Sequence, residues 1–95
     1  MRIDIQSNHI ELKEDFVEQI KAKVAKLEHF YENIVDAIVY LREENTTVKE
    51  VEIKLIVKDH TLFVKENGAA FPEAFDLALE AMKRQIKKYK EKHIA

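Results

Sequence analysis

With 95 residues, 46% of them hydrophobic, the chain is long enough for one compact domain and too short for two. It contains no cysteine, which excludes disulfides and cysteine-based zinc sites, and no apolar run of the roughly 20 residues that a membrane span requires. The formal net charge of −2 is unevenly distributed, since residues 1–81 carry a net charge of −7 and residues 82–95 one of +5. The N-terminus lacks the apolar stretch of a signal peptide, so we expect a cytoplasmic protein.

The first third of the chain predicts a strand followed by a helix. Apolar and polar residues alternate from Arg2 to Ser7, which indicates a strand with one buried face. From about residue 13 to about residue 30, apolar side chains recur at steps of three and four and form the stripe of an amphipathic helix: Phe16, Ile20, Val24, Leu27 and Tyr31.

Three further strands are predicted by alternating patterns. They cover residues 35–42, 50–57 and 61–65, and two polar turns, at residues 43–47 and 58–59, join them as antiparallel hairpins. We expect the Asn67-Gly68 pair to end the last strand.

A second helix is predicted from Pro72, which suits a first helical turn, to about Glu91. Its apolar stripe is Phe71, Phe75, Ala78, Met82, Ile86 and Tyr89, and on a helical wheel Arg84, Lys87 and Lys88 lie opposite, with Lys83 and Lys90 at the flanks. The order is therefore β-α-β-β-β-α. We expect an α+β fold, a four-stranded sheet with both helices packed on one face.

The sequence contains few of the residue patterns that catalytic sites require. The four histidines, His9, His29, His60 and His93, have no metal-ligand spacing, and we expect surface or capping roles for them. Gly68 is the only glycine, so a glycine-rich phosphate loop is excluded, and Ser7 is the only serine. We therefore expect no enzymatic activity, no small-molecule substrate, no cofactor and no metal.

The basic end of the chain is the clearest functional signal. Lysines are favourable at the C-terminus of any helix, because they complement its dipole. A helix whose lysines are merely solvated therefore explains the pattern as well as a helix that binds RNA. The charges after Ala81 are nearly all positive, whereas solvated helices usually interleave glutamate, and Lys23 and Lys26 of the first helix would lie nearby. Such a surface suits phosphate contact and shape recognition rather than base stacking. The side chains of Phe30 and Tyr31 are predicted to pack into the core rather than to hold an RNA base.

The whole chain resembles the bacterial family of ribosome hibernation-promoting factors and ribosome-associated inhibitor A, also called sigma-54 modulation proteins. The stretches that carry the resemblance are Arg2–Ser7, Lys23–Tyr31 with the strand Asp36–Leu41, the hairpin Ile53–Val64, and Ala74–Asp76 leading into Arg84–Lys92. The last is the most specific, because Arg-Gln-aliphatic followed by repeated lysines is typical of the C-terminal helix of the family.

The resemblance implies a function that the residues alone do not. Members of the family bind the small ribosomal subunit between its head and body, in the path of mRNA and tRNA, and silence translation by occupancy under stress or in stationary phase. Short members also promote ribosome dimers. The implied partners are the small subunit with its rRNA and 70S or dimerised ribosomes, with no membrane, for a protein that is monomeric when free. The implied rRNA-binding residues are Lys23, Lys26, Lys83, Arg84, Lys87, Lys88, Lys90 and Lys92.

The sequence departs from the family pattern at one place. Many members have Asp-x-Tyr before the second helix, where this chain has Ala70 and Pro72, although Asp76 is retained. The chain stops three residues after Lys92, so we expect residues 1–95 to form a single ribosome-binding domain of the short form, without a C-terminal dimerisation domain. Two alternatives stay open: a generic double-stranded RNA-binding module, and a protein-interaction domain whose basic helix is only solvated.

Overall fold

The computed structural model describes residues 1–93 and the side chains of residues 1–92. The chain forms four strands, two α-helices and one 3₁₀ turn that directly continues the first helix. In chain order the elements are β1 (Arg2–Ser7), α1 (Glu14–Ala25), the 3₁₀ turn (Lys26–His29), β2 (Ile34–Glu43), β3 (Lys49–Val57), β4 (His60–Gly68) and α2 (Phe71–His93). The predicted order β-α-β-β-β-α is confirmed.

The four strands form one mixed sheet in the order β1-β2-β3-β4. Strand β1 pairs in parallel with β2, because α1 carries the chain back to the starting edge before β2 begins. The β2–β3 and β3–β4 pairs are antiparallel hairpins, as the short polar turns predicted. The sheet is therefore a three-stranded antiparallel unit with one parallel edge strand.

Both helices pack on one face of this sheet, and the core lies between the two layers. Alternation with a period of two turns every second residue of β2, β3 and β4 toward the helices. The fully buried side chains include Val39, Leu41, Val51, Ile53 and Leu55 from the sheet, Ile20, Val24 and Leu27 from the first helical segment, and Phe75, Met82 and Ile86 from α2. These are the apolar positions that the periodicities predicted.

Two boundaries differ from the sequence prediction. The first helix is α-helical only to Ala25 and then tightens into the 3₁₀ turn. Strand β4 does not end before the Asn67-Gly68 pair, because β3 begins at Lys49 and supplies pairing partners for both residues. Gly68 lies against the start of α2, where an added Cβ would be 3.1 Å from the backbone nitrogen of Ala74. The glycine therefore suits this close approach, and its φ is not positive as in a glycine turn.

The opposite face of the sheet carries charged residues, as predicted, but it is less solvated than expected at one point. The Glu50 side chain is only 9% exposed, and Arg42 of the neighbouring strand bridges it to Glu52, with distances of 3.1 Å and 2.8 Å from Nη1 to the two carboxylates. Hydrogen bonds to Glu52 and Glu50 raise the pKa of Arg42. This bridge satisfies a carboxylate that would otherwise be buried without a partner.

Aromatic rings fix the far end of α2 against the rest of the domain. The Tyr89 ring stacks on His60 with a centroid distance of 5.7 Å and meets Tyr31 edge-on at 5.6 Å. Since His60 begins β4 and Tyr31 follows the 3₁₀ turn, the last turns of α2 lie beside the end of the first helical segment. None of the helices in the described part of the chain is apolar over a stretch long enough to cross a membrane.

Candidate nucleic-acid interface

The exposed side of α2 presents a basic ridge, which we define as Arg84, Lys87 and Lys88. Burial of Phe75, Met82 and Ile86 against the sheet turns these three side chains to the solvent. Within the described residues, Arg84, Lys87, Lys88 and Lys92 make no hydrogen bond or ion pair with another side chain. Their charges are therefore available to an external anion without the loss of an internal contact.

Three other cations on the same side of the molecule have partners within the domain. Lys23 of α1 lies 3.1 Å from Asp76 of α2, Lys83 lies 3.2 Å from Glu80, and Lys90 donates a hydrogen bond of 2.7 Å to the backbone carbonyl of Phe30. Exposed ion pairs such as Lys23–Asp76 and Lys83–Glu80 stabilise a fold by about 0–1 kcal/mol. An incoming phosphate could therefore compete for these cations at little cost.

Two grooves lie on the helix side of the molecule, and one of them includes Arg84 and Lys87 of the ridge. The first, here the inter-helix groove, has a volume of about 560 Å³ and lies between α2 and the first helical segment, where it is lined by Lys23, Lys26, His29, Phe30, Asp76 and Lys83 among others. The second, here the α2 groove, has a volume of about 400 Å³ and is lined by Phe30, Glu80, Lys83, Arg84, Ile86, Lys87, Lys90 and Glu91. Phe30, Glu80 and Lys83 belong to both grooves, so they form the wall between them.

Phe30 corrects one sequence prediction. Its ring is 46% exposed rather than buried, and the Lys83 ammonium lies 5.8 Å from the ring centroid. Tyr31 does pack against the core, so the prediction is correct for the tyrosine and wrong for the phenylalanine. Phe30 is the residue that caps the C-terminal end of the 3₁₀ turn, and Leu27 within that turn is the residue that enters the core.

The histidines and acidic side chains of the described residues do not come together as a metal site. In the part of the chain that the structure describes, no group of three or more His, Asp or Glu side chains is placed to hold a metal ion. His29 lines the inter-helix groove, His60 stacks on Tyr89, and His9 is exposed in the loop after β1. The side chain of His93 lies outside the described residues.

The family model described as "Sigma 54 modulation protein / S30EA ribosomal protein" matches residues 3–94. The chain belongs to this family. Its curated relatives include the ribosome hibernation promotion factor of Bacillus subtilis, 30% identical over 94 residues, and the ribosome hibernation promoting factor of Escherichia coli K12, 29% identical over 92 residues. Each match covers 97% of this chain, but the chain spans half the length of the first relative and 96% of the second.

Two solved structures share the fold. A ribosomal subunit interface protein from Coxiella burnetii has a TM-score of 0.88 and 16% identity, and the match covers 96% of this chain and 99% of that one. The N-terminal domain of Thermus thermophilus Protein Y has a TM-score of 0.82 and 21% identity, with 94% and 99% of the two chains covered. The β-α-β-β-β-α architecture is thus shared with both proteins.

In this member of the sigma 54 modulation protein / S30EA family, six of the eight predicted site residues lie around the two grooves: Lys23, Lys26, Lys83, Arg84, Lys87 and Lys90. Lys88 instead faces the exposed edge of the sheet, in a shallow groove beside Phe63 and Lys65 of β4. Lys92 is exposed in the last turn of α2. Phe30, His29 and Glu80 line the same grooves, but no sequence pattern assigned them to a site.

Proposed function

We propose that this protein is a ribosome hibernation factor, which binds the small ribosomal subunit through the basic side of its helices and silences translation by occupying the path of mRNA and tRNA. The observation that carries the proposal is the exposed ridge of Arg84, Lys87 and Lys88, free of internal ion pairs within the described residues, on a member of the sigma 54 modulation protein / S30EA family. The names of the B. subtilis and E. coli relatives support the hibernation role.

The charge distribution supports binding in one orientation. Residues 82–95 carry a net charge of +5, while the rest of the chain carries −7. A phosphate backbone is attracted to the first region, so rRNA favours contact with the C-terminal part of α2. We propose that the eight cations Lys23, Lys26, Lys83, Arg84, Lys87, Lys88, Lys90 and Lys92 provide this contact.

The proposed mechanism is occupancy without a chemical reaction. A domain that fills the space of mRNA and the tRNA anticodon arms prevents their binding for as long as it stays bound, and release restores the ribosome. We propose that residues 1–95 act as one ribosome-binding domain in the cytoplasm, monomeric when free, that they act under stress or in stationary phase, and that their partners are 70S or dimerised ribosomes.

A charge reversal tests the proposal. The variant Arg84→Glu, Lys87→Glu, Lys88→Glu changes the ridge, while Lys13→Glu, Lys21→Glu, Lys58→Glu makes the same change in total charge at three exposed positions that line neither of the two grooves nor the groove beside Lys88. At physiological salt we expect the ridge variant to lose co-sedimentation with purified small subunits and the matched control to keep it. Retention of full binding by the ridge variant would contradict the proposal.

Salt dependence provides a second readout. Of the eight cations, Lys23, Lys83 and Lys90 already have partners within the domain. If the other five, Lys26, Arg84, Lys87, Lys88 and Lys92, are the ones that each neutralise one phosphate, log affinity falls with log salt with a slope of about −3.5 to −4.5. A flat response would indicate a protein–protein contact instead. Equal affinity for naked duplex RNA and for small subunits would favour a generic double-stranded RNA-binding module.

A further inference from the structure

We infer that Phe30 is a stacking site for one unpaired base of a single-stranded RNA segment, whose flanking phosphates lie in the inter-helix groove beside Lys26 and in the α2 groove beside Lys87. This inference rests on the proposed function and specifies the part of the RNA that the site contacts. It reverses the expectation, drawn from the scarcity of aromatic residues on the helices, that the surface contacts phosphates alone.

The backbone of Phe30 is held in place while its ring is exposed. Its carbonyl accepts the hydrogen bond from Lys90, and its N–H donates to the carbonyl of Leu27 at 3.0 Å. The next residue, Tyr31, packs edge-on against Tyr89. An aromatic ring on a fixed backbone loses little conformational freedom when a base stacks on it, so the site is preorganised for stacking.

Cations lie on both sides of the ring. Lys26 is exposed in one groove and Lys87 in the other, and the Lys83 ammonium lies 5.8 Å from the ring centroid between them. A single strand of RNA presents the same order, a phosphate, a flat apolar base and a second phosphate. Proteins that bind single strands combine a basic groove along the backbone with aromatic rings under the bases. The order of charges therefore favours RNA over an apolar peptide as the occupant of this surface.

The acidic residues limit the positions that the phosphates of the RNA strand can occupy. Glu80 lies in the wall between the grooves and pairs with Lys83, so it repels a phosphate placed directly over that wall. Asp76 pairs with Lys23 in the inter-helix groove, and Glu91 lies at the other end of the α2 groove. The least repulsive positions for phosphates are therefore beside Lys26 and beside Lys87, with the base between them on Phe30.

A short single-stranded RNA with one central 2-aminopurine is the probe, because stacking of this base on an aromatic ring quenches its fluorescence. We expect the unmodified protein and Phe30→Trp to quench it. We expect Phe30→Leu, which keeps an apolar side chain but removes the aromatic face, to leave the fluorescence unquenched and to bind about 5- to 100-fold more weakly. Replacing the central nucleotide by an abasic one should weaken binding to the unmodified protein and have no further effect on Phe30→Leu.

The inference is overturned if the unmodified protein binds the probe without quenching, or if Phe30→Leu binds intact and abasic strands as the unmodified protein does. Circular dichroism and thermal unfolding of Phe30→Leu verify that the fold is intact. Small-subunit binding separates the two proposals. If the ridge variant loses binding while Phe30→Leu keeps it fully, the proposed function stands and the stacking site is wrong. If neither variant loses binding, the proposed function is wrong, and the quenching of the 2-aminopurine RNA then tests the stacking site by itself.

Discussion

The Lys90 ammonium donates a hydrogen bond of 2.7 Å to the backbone carbonyl of Phe30, a residue that lies 60 positions earlier in the chain. This contact joins the last turns of α2 to the end of the 3₁₀ turn. It satisfies a carbonyl at a helix end, where no intrahelical donor remains. It also fixes the wall between the two grooves, so the shape of the candidate RNA-binding surface depends on it.

Removal of this contact should loosen the end of the 3₁₀ turn. The variant Lys90→Met keeps most of the aliphatic stem, and we expect it to lower the free energy of unfolding by about 1 kcal/mol. Amide exchange at Phe30 and Tyr31, whose N–H groups both donate to the carbonyl of Leu27, should become faster. Lys92→Met is the matched control on the same helix. Unchanged exchange in Lys90→Met would show that the contact does not order this segment.

The pair between Lys23 and Asp76 should limit RNA binding rather than assist it. The side chains of Lys23 and Asp76 are 43% and 60% exposed, so Asp76→Asn should change the free energy of unfolding by less than about 1 kcal/mol. It frees Lys23 for phosphate and removes a repulsive charge, so we expect affinity for small subunits to rise up to about fivefold. Asp4→Asn, on the open face of the sheet, should leave affinity unchanged. Weaker binding by Asp76→Asn would indicate that Asp76 itself contacts the ribosome.

The bridge formed by Arg42 should matter to stability and not to binding. Arg42→Met leaves the Glu50 carboxylate, which is only 9% exposed, without its cation, and we expect a loss of about 1–3 kcal/mol in urea unfolding. A second change, Glu50→Gln, should recover most of that loss, because a neutral amide is cheaper to bury. Both variants should still bind small subunits. Failure of Glu50→Gln to restore stability would refute the role assigned to the bridge.

Tyr89 should make stability sensitive to alkaline pH. Partial burial of its ring, and then a hydrogen bond with Tyr31, raise the pKa of the Tyr89 phenol above its ordinary value of 10.0. Below about pH 10 the phenol is protonated in both the folded and the unfolded chain, so it adds no pH dependence to the free energy of unfolding. Above about pH 10 the unfolded chain loses this proton first, so the free energy of unfolding falls. Urea unfolding from about pH 8 to 11 should show a steeper decline for the unmodified protein than for Tyr89→Phe. Parallel curves would contradict the shifted pKa, and Tyr40→Phe is the control.

The fold could be predicted from the sequence because two simple periodicities run through almost all of it. The alternation around Val39, Ile53 and Val64 fixes which face of the sheet is buried, and the stripes of the two helices must cover that face. The end of β4 was mispredicted because Asn67-Gly68 is a turn signal in isolation. Its backbone groups are instead paired by β3, and a pairing partner cannot be read from local sequence.

The site was predictable only where it depends on a single helix. The ridge of Arg84, Lys87 and Lys88 follows from the position of these residues on a helical wheel. The contacts of Lys23 with Asp76 and of Lys90 with Phe30 join residues that are 53 and 60 positions apart, so they require the relative placement of the helices. The exposure of Phe30 likewise depends on how the chain after the 3₁₀ turn packs beside α2, and local sequence does not indicate that packing.

The central claim is that this protein acts on the ribosome, and sucrose-gradient sedimentation tests it most directly. Stationary-phase lysates from cells with and without the protein are separated at physiological salt, and each fraction is probed for the protein and for rRNA. We predict that the protein migrates with small subunits and whole ribosomes, and that polysomes are depleted when it is present. A protein that stays at the top of the gradient, with polysomes unaffected, would contradict the account.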